Sequence, residues 1–192
     1  MRARPGGRSG SRSLDRALVL RRFPYGESSL VVHVLCPAHG RVSLLAKGAY
    51  RPTSGYCGVL DLFDTLELGW STRREGGLAL LTRGMVLRRR TAVVSQAQRY
   101  RAGRAARELH PEPALFELLA STLDILDAGT LEPRLALLAF DLKVLAELGL
   151  APALERCAAC GVTEAPRSRT ACVPFAPAAG GRMCSSCAAQ AG

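Results

Sequence analysis

The chain has 192 residues, room for one sizeable domain or two small ones, and its 48% apolar content is enough for a buried core. No apolar run reaches the roughly 18 residues of a membrane span. The net charge of +10 is lopsided: residues 1–51 hold ten Lys and Arg against two Asp and Glu, 52–110 ten against five, and 111–192 six against nine, which points the N-terminal half at a polyanion such as nucleic acid.

The opening "MRARPGGRSGSRS" carries four arginines and no acid, and no apolar stretch follows it, which argues against a secretory signal. Pro5-Gly6-Gly7 interrupts the amphipathic helix a transit peptide needs, so residues 1–13 are expected to be a flexible basic arm. Strand signals then begin. "RALVLRRF" ends at the turn Pro24-Tyr25-Gly26. In "SLVVHVLC", Leu30, Val32, Val34 and Cys36 alternate against Val31, His33 and Leu35. Pro37 to Gly40 turns the chain into "RVSLLAK", a hairpin signal. After the loop "KGAYRPTSGYCGV" come "VLDLFDTLELGW" and "LALLTRGMVLRRR". Five strands in about 75 residues with one longer loop predict a small barrel of the OB kind.

The period changes from Val94. Ser95 with Gln98 three residues on is a capping-box pattern, predicting a helix to His110 that Pro111 and Pro113 end. A second helix over 114–127 aligns Leu115, Leu118, Leu119, Thr122 and Leu126, and Gly129 closes it. The third, "PRLALLAFDLKVLAELG", starts at Pro133 and stops at Gly149. It is apolar nearly all round, so it needs covering on several sides.

Cys157-x-x-Cys160 and Cys184-x-x-Cys187 are separated by 23 residues, close to the spacing of a structural zinc ribbon. Four thiolates complete a tetrahedral shell, and a segment this short would draw much of its folding free energy from the metal. A redox dithiol would sit at a helix start in a βαβ unit, which the sequence lacks, and a pair of disulfides would need an oxidising compartment. With no His or carboxylate holding a position open, the site is expected to be closed and structural, with one Zn2+ per chain. Cys36, Cys57 and Cys172 are expected to be small buried hydrophobes. The three histidines share no spacing, and neither a P-loop nor a nucleophile elbow occurs, so no enzymatic activity is expected.

The predicted class is thus α+β multidomain: a flexible arm (1–13), an OB-like five-stranded barrel (14–91), a helical domain (92–153) and a four-cysteine zinc ribbon (154–190). The segments "VLRRFPYGESSLVVHVLCPAHGRVSLLAKGAYRP", "LDLFDTLEL", "FDLKVLAELGLAPALERCAACG" and "FAPAAGGRMCSSCA", in this order, resemble the bacterial DNA repair protein RecO family. The resemblance covers nearly all of residues 14–188. It implies a cytoplasmic, nucleoid-associated recombination mediator that binds single- and double-stranded DNA and anneals complementary strands. It also implies recognition of the acidic tail of the single-strand binding protein, and help from RecR in loading RecA. Family members usually continue with several dozen helical residues past the second cysteine pair, and here five residues follow Cys187. A fragment and a natural short form are both compatible with that.

An OB barrel offers its face and loops to a nucleic-acid backbone. Arg21, Arg22, Arg41, Lys47 and Arg51 on the first three strands and the following loop, and Arg88, Arg89 and Arg90 after the fifth, are the candidates to neutralise phosphates. Tyr50 and Tyr56 are candidates to stack on bases. Arg99, Arg101, Arg104 and Arg107 extend the basic surface along the first helix. The competing reading is a protein-interaction adaptor in which the ribbon and helices dock partners and the arginines are incidental. A thiol oxidoreductase built on Cys184 and Cys187 is the remaining alternative.

Overall fold

The structure, a computed structural model, describes residues 11–72, 77–108, 115–163 and 172–191. Residues 1–10 of the expected arm, with His110, Pro111 and Pro113, lie outside the described residues. Five strands come first: β1 (Ser11–Tyr25), β2 (Ser29–Cys36), β3 (Gly40–Ala46), β4 (Thr65–Thr72) and β5 (Ala79–Arg88). They close in the order β1-β2-β3-β5-β4, every pairing antiparallel except β3 with β5. That is the predicted OB-like Greek-key barrel.

β1 is long because it serves two partners. Ser11–Leu18 pairs with β4, and Leu18–Tyr25 pairs with β2. Ser11, Arg12 and Ser13, expected to belong to the arm, are therefore strand residues opposite Thr72, Ser71 and Trp70. The alternation in β2 is as predicted, with Leu30, Val32, Val34 and Cys36 facing inward. They meet Val19, Leu44, Leu66, Leu68, Trp70 and Leu81 in one core. One strand is shorter than expected. Residues 59–64 do not extend β4, because Phe63 adopts φ +66° and turns the chain. An L-residue pays for that conformation in sterics. Here two backbone hydrogen bonds hold it, Phe63 N–H to Val19 O at 2.9 Å and Val19 N–H to Asp64 O at 3.1 Å, while its ring is fully buried.

Helices follow: α1 (Thr91–Ser95), α2 (Ala97–Glu108), α3 (Phe116–Ala128) and α4 (Pro133–Glu147). The capping box predicted at Ser95 does not form. The helix starts earlier, and Asp127 Oδ1 on α3 accepts the Ala92 and Val93 N–H groups at 2.8 and 3.1 Å, so α1 is capped from a distance. Extended Gln96 then separates α1 from α2. α3 buries Phe116, Leu119, Thr122, Leu123 and Leu126, and Gly129 ends it at φ +68° as predicted. The space a side chain would need at Gly129 is filled by the Arg99 guanidinium, which donates to Asp127 O at 2.8 Å. α4 is capped by the Glu132 carboxylate, which accepts from the N–H groups of Arg134 and Leu135.

The chain forms two compact units, Met1–Phe140 and Asp141–Gly192. The boundary falls inside α4 rather than at the expected 153/154, and the barrel and first helices share one unit. A helix that runs through a boundary shows no change of composition there. The second unit contains a two-strand hairpin, β6 (Phe175–Ala176) with β7 (Gly181–Arg182), a 3-10 turn over Pro177–Ala179, and α5 (Ser185–Ala191). Gly180 at φ +77° makes the turn. Gly181 passes so close to the Ala153 backbone that a Cβ there would overlap the carbonyl oxygen.

Candidate metal centre and nucleic-acid face

Around the cysteines, the described residues of the second unit offer little apolar material to fold around: Cys157, Met183 and Cys184 are buried, with Ala176, Cys187 and Ala188 against them. Its cysteines are positioned by backbone. Cys157 N–H donates to Val162 O at 2.8 Å and Gly161 N–H to Cys157 O at 2.9 Å, a tight turn that Gly161 permits at φ +75°. On the other side Cys187 N–H donates to Cys184 Sγ at 3.4 Å across the first turn of α5. Arg182 N–H to Ala153 O and Ala158 N–H to Arg182 O, both 2.8 Å, tie the two knuckles together.

The sulfurs of Cys157, Cys160, Cys184 and Cys187 all lie within 4.8 Å of one another. Sulfurs bound at about 2.3 Å around a tetrahedral ion stand about 3.8 Å apart, and Cys160 Sγ and Cys184 Sγ are separated by 3.7 Å. The donor set therefore fits a thiolate-bound metal. Protonation agrees. Hydrogen bonds from the backbone of Cys160 and Cys184 draw Cys157 down to about 6, while the neighbouring sulfurs, Cys184 first, push Cys187 up to about 12. One thiolate forms easily in this cluster, and the last needs a cation to offset its neighbours.

The other cysteines depart in part from expectation. Cys36 is a buried core residue whose thiol burial raises to about 12, but Cys57 and Cys172 are exposed. Cys57 sits on the loop after β3, where no strand pairing carries it inward.

The predicted basic residues fall into two groups. Arg22, Arg88, Arg89 and Arg90 face carboxylates. Arg22 meets Asp61 at 2.6 Å, Arg88 meets Asp124 at 2.7 Å, and Arg89 lies 3.3 Å from both Asp61 and Asp64. Arg90 is a correction. It is 2% exposed and donates to Phe63 O, Thr65 Oγ1, Ala120 O and Asp124, so it holds the barrel to α3 and is closed to phosphate. Asp64 beside it is also buried, and desolvation raises its pKa against the opposing pull of Arg90 and Arg89. Tyr56 is a second correction. Its hydroxyl donates to Leu81 O at 3.0 Å and its ring packs on the barrel core, so it is no open stacking surface.

The second group lies on the outer side of β1–β3 and the loop after β3. Arg41 Nη2 donates to His33 Nδ1 at 3.0 Å, and His33 pairs in register with Arg21. Burial, then the charges of Arg41 and Arg21, hold the His33 pKa below its usual value. Lys47 and Arg51 line a groove of about 470 Å³ with Tyr25, Ser28, Ser29, Ser54 and Tyr56, and no acidic residue lines it. Lys47 and Arg51 make no ion pair among the described residues. Tyr50 stands 52% exposed on the same loop, its N–H bonded to Ser28 O. On the first helix pair, Arg101 lines a groove of about 570 Å³ with Gln98, Glu132, Pro133, Arg134 and Leu137. The side chains of Arg104 and Arg107 lie outside the described part.

Two exposed aromatics on the outer face, Phe23 and Tyr25, were not anticipated. The signal was present as the alternation Arg21, Phe23, Tyr25, but the parity that turns it outward depends on a bulge in β1.

Comparison with known proteins agrees with this architecture. The profile described as Recombination protein O N terminal matches residues 11–90, and that described as Recombination protein O C terminal matches residues 102–192. The chain is 38% identical over 189 residues to DNA repair protein RecO of Anaeromyxobacter dehalogenans strain 2CP-1, covering 91% of this chain and 72% of that one. It is 35% identical over 186 residues to DNA repair protein RecO of Myxococcus xanthus, covering 92% and 73%. To its counterpart in Streptomyces avermitilis it is 33% identical over 190 residues, covering 90% and 73%. The barrel lies within the first profile match and α3, α4 and the four-cysteine cluster within the second, and the chain belongs to the RecO family of DNA repair proteins.

Proposed function

We propose that this chain is a recombination mediator. It binds single- and double-stranded DNA without reading sequence, anneals complementary strands, and with RecR helps load RecA on DNA covered by single-strand binding protein. The observation that carries the reading is the acid-free groove beside β2 and β3, where Lys47 and Arg51 project with Arg41 and Arg21 on the adjoining face. Phosphates need positive charge and hydroxyl donors, both present there, and annealing requires that the bases stay unread. No step in this role forms or breaks a covalent bond, and we assign the chain no enzymatic activity. Zn2+ is the ion the four cysteines suit best: it is content with tetrahedral sulfur and would brace the second unit without taking part in chemistry. The groove containing Arg101, Arg134 and Leu137 offers two guanidinium groups over an apolar wall, suited to the acidic tail of the single-strand binding protein. The cytoplasm, at the nucleoid, is the compartment this role requires.

The test is fluorescence anisotropy with unrelated oligonucleotides across a salt series. Wild type is expected to bind them alike, and Arg41→Glu, Lys47→Glu and Arg51→Glu together to lose at least about tenfold in affinity. The log–log salt slope should flatten by about 2, at roughly 0.7 per single-strand phosphate. The adaptor reading has support in the arginines bound to Asp61 and Asp124 and in the exposed Leu135 and Leu138 of α4. Unchanged DNA affinity in the triple variant would favour it. An annealing assay with and without single-strand binding protein tests the partnership.

A further inference from the structure

β1 carries a bulge between Val19 and Arg21: Val19 pairs with Val34, and Arg21 with His33, the very next residue back along β2. Leu20 is the extra residue. Without it, side chains two apart would keep one side, and Phe23 and Tyr25 would follow Ala17 and Val19 into the core. With it, Arg21, Phe23 and Tyr25 join the outward rows of β2 and β3, opposite His33, Val31 and Ser29. The result is a pair of large rings held out in water, 44% and 56% exposed. Single exposed apolar residues need no explanation. Two aromatics on alternate positions of one strand, bordered by basic side chains, are a different matter.

Their surroundings are ordered and cationic. The Phe23 ring sits 5.3 Å from the His33 ring, tilted by 59°, and His33 is in turn fixed by Arg41 at 3.0 Å. Tyr25 walls the groove that holds Lys47 and Arg51. Arg21 stands two residues before Phe23 on the same side. Charged groups thus border both ends of a short aromatic track, and no Asp or Glu lies on the outward rows of β2 and β3.

We propose that Phe23 and Tyr25 are base-stacking residues for single-stranded DNA, with Arg21, Arg41, Lys47 and Arg51 carrying the phosphates beside them. This rests on the DNA-binding reading above and specifies how one form of DNA is preferred. A duplex hides the faces of its bases and can use only the cations. An unpaired strand can use the cations and both rings, because every base has a π-face whatever its identity. Stacking therefore adds selectivity for unpaired DNA without sequence preference.

The experiment uses the full metal-loaded chain and compares the wild type with Phe23→Ala/Tyr25→Ala and with Tyr25→Phe. Both residues are exposed, so folding is expected to survive, and Trp70 emission checks the barrel. Affinity is measured for oligo-dT, for a duplex of the same length, and for an abasic strand with the same number of phosphates. The double alanine variant is expected to bind oligo-dT at least about tenfold more weakly, since each stacked base is worth that order. Its duplex affinity should stay within about twofold, its salt slope should not change, and Tyr25→Phe, which keeps the ring, should restore the preference for oligo-dT over the abasic strand. Wild type should prefer oligo-dT to the abasic strand, and the alanine variant should not. Equal losses on single strand and duplex, or no loss on either, overturn the inference while leaving DNA binding intact. A wild type that retains neither form overturns the DNA-binding reading and this inference with it.

Discussion

The barrel and the cysteine unit are held together by different physics. The barrel closes its five strands over a continuous core that includes Val32, Val34, Leu44, Leu66, Leu68 and Trp70. Such burial stabilises by roughly 1.5–3 kcal/mol for each large side chain and depends on no cofactor. Among the described residues, the cysteine cluster has three buried side chains at its centre, two of them candidate ligands, and strands only two residues long. Apolar burial among these described residues is slight, and four sulfurs within 4.8 Å of one another are placed to share an ion that would order the rest. The barrel is thus stable through what it excludes, and the cysteine cluster is built to gain stability from what it could bind.

The largest effect should come from removing that ion. Structural zinc in small modules contributes about 10–16 kcal/mol of apparent free energy, more than a unit of this size has in reserve. Strong chelation, or Cys184→Ser, is expected to open the segment between Cys157 and Cys187 to protease while leaving the barrel intact. The sole tryptophan, Trp70, is buried in the barrel core, so its emission reports on that part alone. Limited proteolysis read alongside Trp70 emission separates the two. A shift of Trp70 emission on chelation would break the contrast.

Next in size is a defect at the barrel's edge. Arg90 is buried with its guanidinium bonded to Phe63 O at 2.7 Å, Thr65 Oγ1 at 2.9 Å and Asp124 Oδ1 at 2.6 Å. Arg90→Met keeps the volume but removes the guanidinium donations to Phe63 O, Thr65 Oγ1 and Asp124 Oδ1 from a buried site. A cost of about 3–5 kcal/mol is expected, seen as an earlier urea midpoint of Trp70 emission. Metal content should be unchanged. Gly181→Ala reverses the pattern. Its Cβ would press on the Ala153 backbone, and overpacking of this kind costs about 1–3 kcal/mol. Metal affinity, measured by competition with a chromogenic chelator, should weaken, and the barrel's urea midpoint should hold.

What the sequence revealed follows the same division between local and distant causes. Strand alternation in 29–36, the glycine stops at 129 and 149, and the two Cys-x-x-Cys pairs are local patterns, and each appears in the structure where expected. Arg90 was misassigned because its partners, Phe63, Thr65, Ala120 and Asp124, lie 25 to 34 residues away. Charge counting sees a basic run at 88–90 and nothing of the carboxylates that the fold brings to it. The Ser95 cap failed for a similar reason, since Asp127 reaches α1 from another helix. Phe63 at φ +66° has no sequence signature, because the conformation is imposed by Val19 across the barrel. Phe23 and Tyr25 were missed because the bulge at Leu20 shifts the parity of everything after it.

The smallest effect sharpens the nucleic-acid side of the comparison. Arginine has no acceptor, so the contact between Arg41 Nη2 and His33 Nδ1 fixes His33 as neutral, with its proton on Nε2. Facing His33 are Arg21 from β1, Arg41 and Ser43 from β3, and the Phe23 ring. Burial and the two guanidinium groups hold its pKa below 6.5. The folded state thus binds its proton less readily than the unfolded chain, and this residue destabilises the fold as pH falls below about 6.5. A phosphodiester laid along Arg21 and Arg41 acts in the opposite direction. It offsets their charge and raises the His33 pKa, so the bound protein takes up a proton that the free protein does not. DNA affinity is therefore expected to rise as pH drops from about 7.5 to about 5.5, by about fivefold, the scale of one exposed ion pair at ~1 kcal/mol. Anisotropy titrations at constant ionic strength measure it. His33→Gln should bind at neutral pH much as the wild type does, with the rise on acidification gone. A rise that persists in His33→Gln would assign the proton to another group.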